Sequence, residues 1–264
     1  MLTVAIRVAI GLFAVYLAAL LVLYLMQSRF IYPAPQDVIA PAPGFEAVRV
    51  DTADGLALTA HWQPPEADQP SVVFFHGNGG TLAGSTAATQ LLWTQGYVVL
   101  LVEYRGYGGN PGAPSEEGLY KDGRAAMAFL AGKGVAPERT IIIGNSIGSG
   151  PATQMALEFD PAALILVSPF ASLVDVASDA LPVFPVRHLL RDRYANVEKV
   201  PGLNMPILIQ HGTADQVVPF AQGQKLAKAQ GAATLQSFKG AGHQLAFQTD
   251  AQIAQSEWLD GLGL

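Results

Sequence analysis

The stretch Thr140-Ile-Ile-Ile-Gly-Asn-Ser-Ile-Gly148 decides the fold, because it joins a β-branched run to a helix-forming run through Gly144-x-Ser146-x-Gly148. A sharp strand-to-helix turn exposes a serine Oγ and tolerates only small residues two positions on either side. The same turn aims the first helical N–H groups, beginning with that of Ile147, at developing negative charge. The spacing therefore predicts a nucleophilic Ser146. The other interpretation is a glycine-rich helix start at which Ser146 serves only as a cap.

Outward from this turn, apolar strands alternate with helix-length segments. Strands are predicted at residues 71–76, 97–103, 140–144, 163–168, 206–211 and 234–238. Helices are predicted at residues 82–95, 116–131, 147–159, 221–229 and 251–262. Continuous apolar strands in βα alternation predict an α/β fold, with a mostly parallel sheet that helices cover on both faces.

Two segments depart from this alternation. Residues 47–51 and 56–62 are short β runs around Asp54-Gly55, which predicts an antiparallel hairpin at the front of the sheet. After the sixth strand, residues 170–200 form a proline-containing insertion where an α/β enzyme often carries a lid. Its apolar side chains suit either the cover of an acyl pocket or simple packing on the core: Phe170, Leu173, Val174, Leu181, Val183, Phe184 and Val186.

An acid and a base for Ser146 are expected beyond the ends of later strands, in the chain order serine, acid, histidine. Asp215 follows the strand predicted at 206–211, and His243 follows the last strand in Gly240-Ala-Gly-His243. Both are therefore predicted site residues. The competing histidines fit less well by position or order, and the competing carboxylates suit caps or ion pairs within the insertion: His61, His76, His188, His211, Asp175, Asp179 and Asp192.

The turn Gly77-Asn-Gly-Gly80 follows the strand predicted at 71–76 and lets backbone N–H groups approach a ligand closely. It predicts the main-chain N–H of Asn78 as a second oxyanion donor beside that of Ile147. No Gly-Lys-Ser/Thr follows, and residues 106–111 lack the third glycine and the helix of a dinucleotide site, so both nucleotide interpretations fail. Tyr104 and Arg105 follow the next predicted strand. Substrate contact is one interpretation, and the favoured one is a structural role in which Arg105 pairs with a local carboxylate.

Composition excludes several classes of protein. The 264 residues include 15 Lys and Arg against 21 Asp and Glu, a net charge of −6 with no basic cluster, which argues against a nucleic-acid partner. The absence of cysteine excludes disulfides, thiolate metal sites and a catalytic thiol. Only 14% of the residues are charged and 50% are hydrophobic, an apolar excess that the N-terminus explains.

Residues 8–26 carry no charge and are long enough, at about 28 Å as a helix, to cross a bilayer. The run is longer than a signal-peptide core and lacks a small-x-small site, so an uncleaved single-pass anchor is predicted. Prolines then make the segment up to Gly44 a stiff linker. Arg7 and the α-amine lie at one end of this run, and Arg29, partly offset by Asp37, lies at the other. This charge balance slightly favours an N-terminus inside the cell, with the remaining chain on the periplasmic or extracytoplasmic side.

Several short motifs together resemble the α/β-hydrolases, in particular a membrane-anchored branch with abhydrolase-domain, palmitoyl-thioesterase-like members. They are His76-Gly-Asn-Gly-Gly80, Glu103-Tyr-Arg-Gly-Tyr-Gly108, Gly144-Asn-Ser-Ile-Gly148, Ser168-Pro-Phe170, Leu189-Leu-Arg-Asp-Arg-Tyr194, His211-Gly-Thr-Ala-Asp215 and Gly240-Ala-Gly-His243. The resemblance implies an α/β-hydrolase fold and a Ser146–Asp215–His243 triad that needs no cofactor or metal. Gln244 departs from the polar Asn or Asp that relatives often carry there, which is expected to change loop packing rather than the triad.

The expected organisation is an anchor at residues 1–29, a linker at 30–45 and a hydrolase domain at 46–264 with a lid insertion at about 170–200. The expected function is hydrolysis of a carboxylic ester or thioester in a small acyl substrate, through an acyl-enzyme. A serine peptidase on the same triad is the alternative. A membrane-tethered binding protein without catalysis is a distant third.

Overall fold

The computed structural model describes residues 2–64 and 69–264, so Met1 of the predicted anchor and residues 65–68 of the predicted domain lie outside the described residues. Within the described part, eight strands form one sheet in the order β1-β2-β4-β3-β5-β6-β7-β8. The strands are β1 Glu46–Asp51, β2 Ala57–Trp62, β3 Ser71–Phe75, β4 Val98–Val102, β5 Thr140–Asn145, β6 Ala163–Val167, β7 Ile207–Gly212 and β8 Thr234–Phe238.

The strands from β3 to β8 run parallel, as the βα alternation predicts. The front hairpin of β1 and β2 is antiparallel and joins the sheet through an antiparallel contact with β4. Every residue of β3, β4, β5, β6 and β7 is buried, which explains why the middle of each strand is a continuous apolar run rather than an alternating one. The mixed, mostly parallel sheet predicted from the sequence is confirmed.

Helices cover both faces of the sheet. Along β3, Val73 and Phe75 enter one hydrophobic cluster while Val72 and Phe74 enter the other, because successive side chains of a strand point to opposite faces. The helices outside the insertion are α1 Leu2–Ile31, α2 Leu82–Ala88, α3 Gln90–Thr94, α4 Glu116–Gly132, α5 Ser149–Phe159, α9 Phe220–Gln230 and α10 Thr249–Asp260. Helices α4, α5 and α9 pack on the first cluster, and α2, α3 and α10 pack on the second.

The insertion follows β6, as predicted, and contains three short helices: α6 Leu173–Ala180, α7 Val186–Leu189 and α8 Asn196–Lys199. Its base packs on α5. Tyr194 is fully buried against Gly150, and the Asn196 amide donates a 3.3 Å hydrogen bond to the Ser149 hydroxyl. The insertion therefore lies next to the helix that follows Ser146.

Helix α1 is, within residues 2–64 and 69–264, the one helix whose length and composition suit a membrane span, and a signal sequence would pass the same test. It extends to Ile31, two residues beyond the predicted end of the anchor. The following segment is irregular, as predicted, and is tied to the domain. The Gly108 N–H donates to the Pro35 carbonyl at 2.8 Å, and the Tyr32 hydroxyl donates to Asp192 at 2.9 Å.

Candidate active site

Ser146 sits at a strained turn between β5 and α5. Its φ is +53°, a left-handed value that L side chains rarely adopt, and it is followed by a single 3₁₀ turn before α5 begins. A Cβ on Gly144 would overlap Ala152 and the Gly148 carbonyl, and a Cβ on Gly148 would overlap the carbonyls of Phe75 and His76. Gly148 therefore lets the turn close tightly against the end of β3, and Gly144 lets α5 pack close to β5, with Ser146 at the apex of the turn.

The structure brings the three predicted side chains into one hydrogen-bonded chain. His243 Nε2 lies 2.9 Å from Ser146 Oγ, and His243 Nδ1 lies 2.8 Å from Asp215 Oδ2. Ser146 is only 9% exposed, and the side chain of Asp215 is fully buried while that of His243 is 15% exposed. The imidazole thus bridges a buried carboxylate and a hydroxyl that faces a cavity.

Asp215 lies in the turn after β7, where backbone N–H groups hold its second oxygen. The N–H groups of Val217 and Val218 each donate to Asp215 Oδ1 at 2.9 Å. Burial acts to raise the pKa of Asp215, but hydrogen bonds from His211, His243 and the Val218 N–H outweigh it and hold the pKa well below its ordinary value. The carboxylate is therefore ionised across the neutral range and suited to stabilise a positive imidazole.

The loop that carries His243 is held from two neighbouring strands. The Ala214 N–H donates to the Ala241 carbonyl at 3.0 Å, and the Ser168 hydroxyl, beyond β6, donates to the His243 carbonyl at 3.3 Å. A Cβ on Gly212 would overlap the Ala241 carbonyl, so the loop packs directly on the end of β7. These contacts fix the backbone on either side of the imidazole.

The turn after β3 lies against Ser146. A Cβ on Gly77 would lie 3.5 Å from the Ser146 Cβ, which is ordinary contact, and Asn78 lines the same cavity as Ser146. The Tyr107 hydroxyl donates to the Asn78 carbonyl at 2.7 Å, and the Tyr104 hydroxyl donates to the His76 carbonyl at 2.9 Å. Burial raises the pKa of both phenols, which keeps them protonated as donors.

A cavity of about 160 Å³ opens beside Ser146. Its walls combine the backbone of the turn after β3, the imidazole of His243 and two aromatic rings, those of Phe74 and Phe247. No residue of the insertion lines it within the described ranges, 2–64 and 69–264. The predicted lid therefore exists as a segment, but its apolar side chains lie elsewhere, and the cover comes instead from α2 and the residues just after His243.

Comparison with known proteins identifies the superfamily of the chain. A family model described as serine aminopeptidase, S33, matches residues 66–196, which include Ser146. An uncharacterized protein of Mycobacterium tuberculosis is 37% identical over 211 residues, 77% of this chain and 75% of that protein. Human alpha/beta hydrolase domain-containing protein 17B is 34% identical over 160 residues, 59% of this chain and 54% of that protein. The chain belongs to the α/β-hydrolase superfamily.

The backbone of this hydrolase is also similar to that of an esterase from Pyrococcus furiosus. The TM-score is 0.72 at 16% identity, and the match covers 88% of this chain and 97% of that one. At this identity the likeness concerns the fold alone. Asp215 and His243 lie beyond the residues that the family model matches, so their assignment rests on the geometry around Ser146.

The remaining predicted residues of the hydrolase separate into two groups. Asn78 lines the cavity, while Ile147 follows Ser146 in the turn with its side chain buried. Arg105 instead forms ion pairs with Asp122 and Asp54, at 2.8 Å and 2.9 Å, outside the cavity lining. That placement agrees with a structural role for Tyr104 and Arg105 rather than with substrate contact.

Two residues that matter to the site were not singled out from the sequence. His211 Nε2 lies 3.4 Å from Asp215 Oδ2, so a second imidazole faces the same carboxylate, and Tyr107 holds the Asn78 carbonyl. His211 precedes the acid in the chain, so the expected order of serine, acid and histidine excludes it as the base. Its position at a strand end four residues before Asp215 is the signal that points to such a contact. Tyr107 stands in Gly106-Tyr-Gly108, where only the glycines suggest a close turn.

Proposed function

We propose that this α/β-hydrolase cleaves carboxylic ester or thioester bonds of acyl substrates through Ser146, His243 and Asp215. The observation that carries the proposal is the unbroken hydrogen-bond chain from Asp215 through His243 to a Ser146 that opens onto a cavity. A serine merely capping a helix has no need of an imidazole within 2.9 Å of its hydroxyl, nor of a buried carboxylate behind that imidazole.

The reaction begins when Ser146 Oγ attacks the acyl carbon and His243 Nε2 takes the hydroxyl proton. The tetrahedral intermediate collapses, the bond to the leaving oxygen or sulfur breaks, and His243 returns the proton to that atom. Water then attacks the acyl-enzyme, gives its proton to His243 and releases the carboxylic acid, after which Ser146 recovers its proton. Asp215 accepts the Nδ1–H bond throughout, which fixes the imidazole tautomer and stabilises the imidazolium.

The negative oxygen of each intermediate is assigned to the main-chain N–H groups of Ile147 and Asn78. Such a donor typically contributes about 3–4 kcal/mol to transition-state stabilisation. Support comes from the position of Asn78 on the cavity wall and from the contact between Gly77 and Ser146. Phe74 and Phe247 supply apolar walls, which suit the acyl part of a small-molecule substrate.

A peptidase function is the second candidate, favoured by the description of the family model as serine aminopeptidase, S33. The same three side chains serve amide cleavage, in which His243 protonates a leaving amine instead of an alcohol or thiol. The cavity contains no acidic side chain among its described lining residues that would recognise a substrate amine, and this favours the ester or thioester.

Helix α1 is assigned as a single-pass anchor with the hydrolase domain on the extracytoplasmic side. Its 30 residues correspond to about 45 Å, which exceeds the hydrocarbon thickness of about 30 Å. Aliphatic side chains are exposed along its length, including Leu12, Val15 and Leu21. The orientation rests on the positive charge of Arg7 at the first end, with Arg29 at the other end set against Asp37.

The test uses the full chain in detergent with a series of p-nitrophenyl esters, short to long, and a fluorophosphonate probe. Wild type is expected to hydrolyse the esters and to be labelled, and Ser146→Ala is expected to do neither. Ser85→Ala is the matched control, because Ser85 lines the same cavity but bonds the Thr81 carbonyl instead of an imidazole. Labelling with turnover of peptide substrates alone would establish the peptidase. Neither labelling nor turnover would overturn the proposal in favour of a binding protein.

A further inference from the structure

The tip of the insertion, residues 180–186, is an apolar segment outside α1 that exposes hydrophobic side chains. Its sequence is Ala180-Leu-Pro-Val-Phe-Pro-Val186, without a charged or hydrogen-bonding side chain. Val183 is 71% exposed and Leu181 is 37% exposed. The catalytic proposal makes no use of this segment, because none of its residues lines the cavity beside Ser146 within the described part of the chain.

The tip packs on α1 rather than on the hydrolase core. The Tyr16 hydroxyl donates to the Val183 carbonyl at 3.0 Å, and the Tyr16 and Phe184 rings stack at 5.6 Å with their planes 6° apart. Further along, Gln27 accepts from the Arg191 N–H at 2.8 Å, and the Arg191 guanidinium lies over the Tyr24 ring. The segment from the tip to Arg191 thus runs alongside the second half of α1.

The position of Tyr16 along α1 sets the depth of the tip. A bilayer core takes about 20 helical residues, and any such window chosen from residues 2–31 contains Tyr16. Residues that touch Tyr16 therefore lie at hydrocarbon depth wherever α1 crosses. Asp179 and Arg187 flank the stretch directly, so the charge-free run that enters is limited to these seven residues.

The backbone of the tip is suited to a medium without water. Pro182 and Pro185 carry no N–H group, and the N–H groups of Leu181, Phe184 and Val186 donate to carbonyls within the segment from Ala177 to Phe184. The exposed Val183 carbonyl accepts from Tyr16, which also satisfies that phenol. Unpaired backbone groups cost several kcal/mol each in hydrocarbon, so this pairing lowers the cost of inserting the tip.

An apolar groove of about 430 Å³ separates the tip and α6 from α1. Leu20, Leu23 and Phe30 line one wall, and Ala177, Leu181 and Phe184 line the other. Gln27, which lines the groove together with Tyr24, is already bonded to Leu189 and Arg191. The groove is continuous with the exposed aliphatic surface of α1, so acyl chains of the surrounding lipid are the occupants that match it.

We propose that residues 180–186 penetrate the hydrocarbon of the same bilayer that α1 spans, as a second membrane contact of this hydrolase. The proposal rests on the anchor assigned to α1 but not on the chemistry of Ser146. Because the base of the insertion bonds Ser149 on the helix after Ser146, this contact fixes which side of the domain faces the lipid.

The absence of cysteine permits a direct test. Single variants Leu12→Cys, Val183→Cys and Ile253→Cys of the full chain are labelled with an environment-sensitive fluorophore and reconstituted into vesicles of phosphatidylcholine and phosphatidylglycerol. All three positions are exposed, at 67%, 71% and 43%, and Ile253 lies on α10, which packs on the other face of the sheet. Quenching by aqueous iodide and by doxyl-labelled lipid is then compared.

The probe at position 183 is expected to behave like that at position 12, with a blue-shifted emission, loss of iodide quenching and strong quenching by doxyl lipid, while position 253 responds to iodide alone. Iodide quenching at 183 equal to that at 253, with position 12 protected, would overturn the proposal and leave the anchor standing. Iodide access at position 12 would overturn both. Ester turnover by the same labelled proteins reports separately on the proposed catalysis.

Discussion

The edge of the sheet formed by the carboxyl ends of its parallel strands, here called the carboxyl edge, is held in place by different means from the insertion. Ser146, Asp215 and His243 each lie within a few residues of a strand end, and backbone hydrogen bonds or tight glycine contacts fix their loops. The tip of the insertion is held by side chains of a helix far away in the sequence, through Tyr16 and Gln27. Strand register therefore positions the proposed chemistry, whereas α1 positions the proposed membrane contact.

The largest effect is expected at the carboxyl edge, from the variant Asp215→Asn, which removes the negative charge of the carboxylate. In Asp215→Asn the imidazole of His243 loses the partner that fixes its tautomer and stabilises its positive form, so kcat is expected to fall roughly 10⁴-fold. Ester hydrolysis at neutral pH measures the loss. Asp175→Asn is the control, since that carboxylate pairs with Lys225 and Arg187 in and around the insertion. Retention of most activity by Asp215→Asn would show that the imidazole does not depend on this carboxylate.

The backbone of the turn is tested by Gly148→Ala. The added methyl group would overlap the carbonyls of Phe75 and His76, so the turn must move away from β3 and take Ser146 with it. Overpacking of this kind costs roughly 1–3 kcal/mol of unfolding free energy, and kcat is expected to fall with it. Thermal unfolding and ester kinetics measure both. The control Gly132→Ala adds a methyl group in open space at the end of α4, and equal effects in the two variants would contradict the argument.

The turn at Ser146 was predictable because its causes are local. A β-branched strand, two glycines around a serine and a helix-forming run lie within about twenty residues, and the chain order of acid and base follows from the strand order. The three side chains meet at hydrogen-bond distances, as that order predicts. Their roles in catalysis remain predictions.

The contacts that were not predictable join parts of the chain with no shared pattern. The bond from Tyr107 to Asn78 crosses 29 residues between two loops, and that from Tyr16 to Val183 crosses 167 residues. Periodicity describes which face of an element is apolar, but not which other element covers that face. For the same reason, the sequence leaves open whether the apolar side chains of the insertion cover the site or pack on the core. The structure places Phe170 in the core and Leu181, Phe184 and Val186 against α1.

A smaller effect is expected from loss of the hydrogen bond between the Tyr107 hydroxyl and the carbonyl of Asn78, the residue whose N–H is the proposed oxyanion donor. Tyr107→Phe removes the hydrogen bond to the Asn78 carbonyl and leaves the ring in place, at a cost of about 1 kcal/mol, so kcat should fall roughly fivefold while KM changes little. Tyr97→Phe is the matched control, because its hydroxyl bonds the Leu264 carbonyl away from the cavity. A change confined to thermal stability, equal in both variants, would assign Tyr107 a purely structural role.

The least effect is expected at the other region, from Val183→Asp. Because no residue of the insertion lines the cavity within the described ranges, a charge at the tip should leave the turnover of a short, soluble ester in detergent unchanged. In vesicles the same charge must leave hydrocarbon or draw water in, at a cost of about 2.5–3.5 kcal/mol for an aspartate at the bilayer centre and less at shallower depth. In Val183→Asp, the kcat in detergent is therefore expected to be preserved. In vesicles, the emission of a fluorophore at position 181, introduced by Leu181→Cys, is expected to shift to the red. Ile253→Asp, which changes an exposed aliphatic side chain on α10 in the same way, should alter neither quantity. A fall in kcat for Val183→Asp in detergent would mean that the tip communicates with Ser146 through α5, and the separation between the two regions would no longer hold.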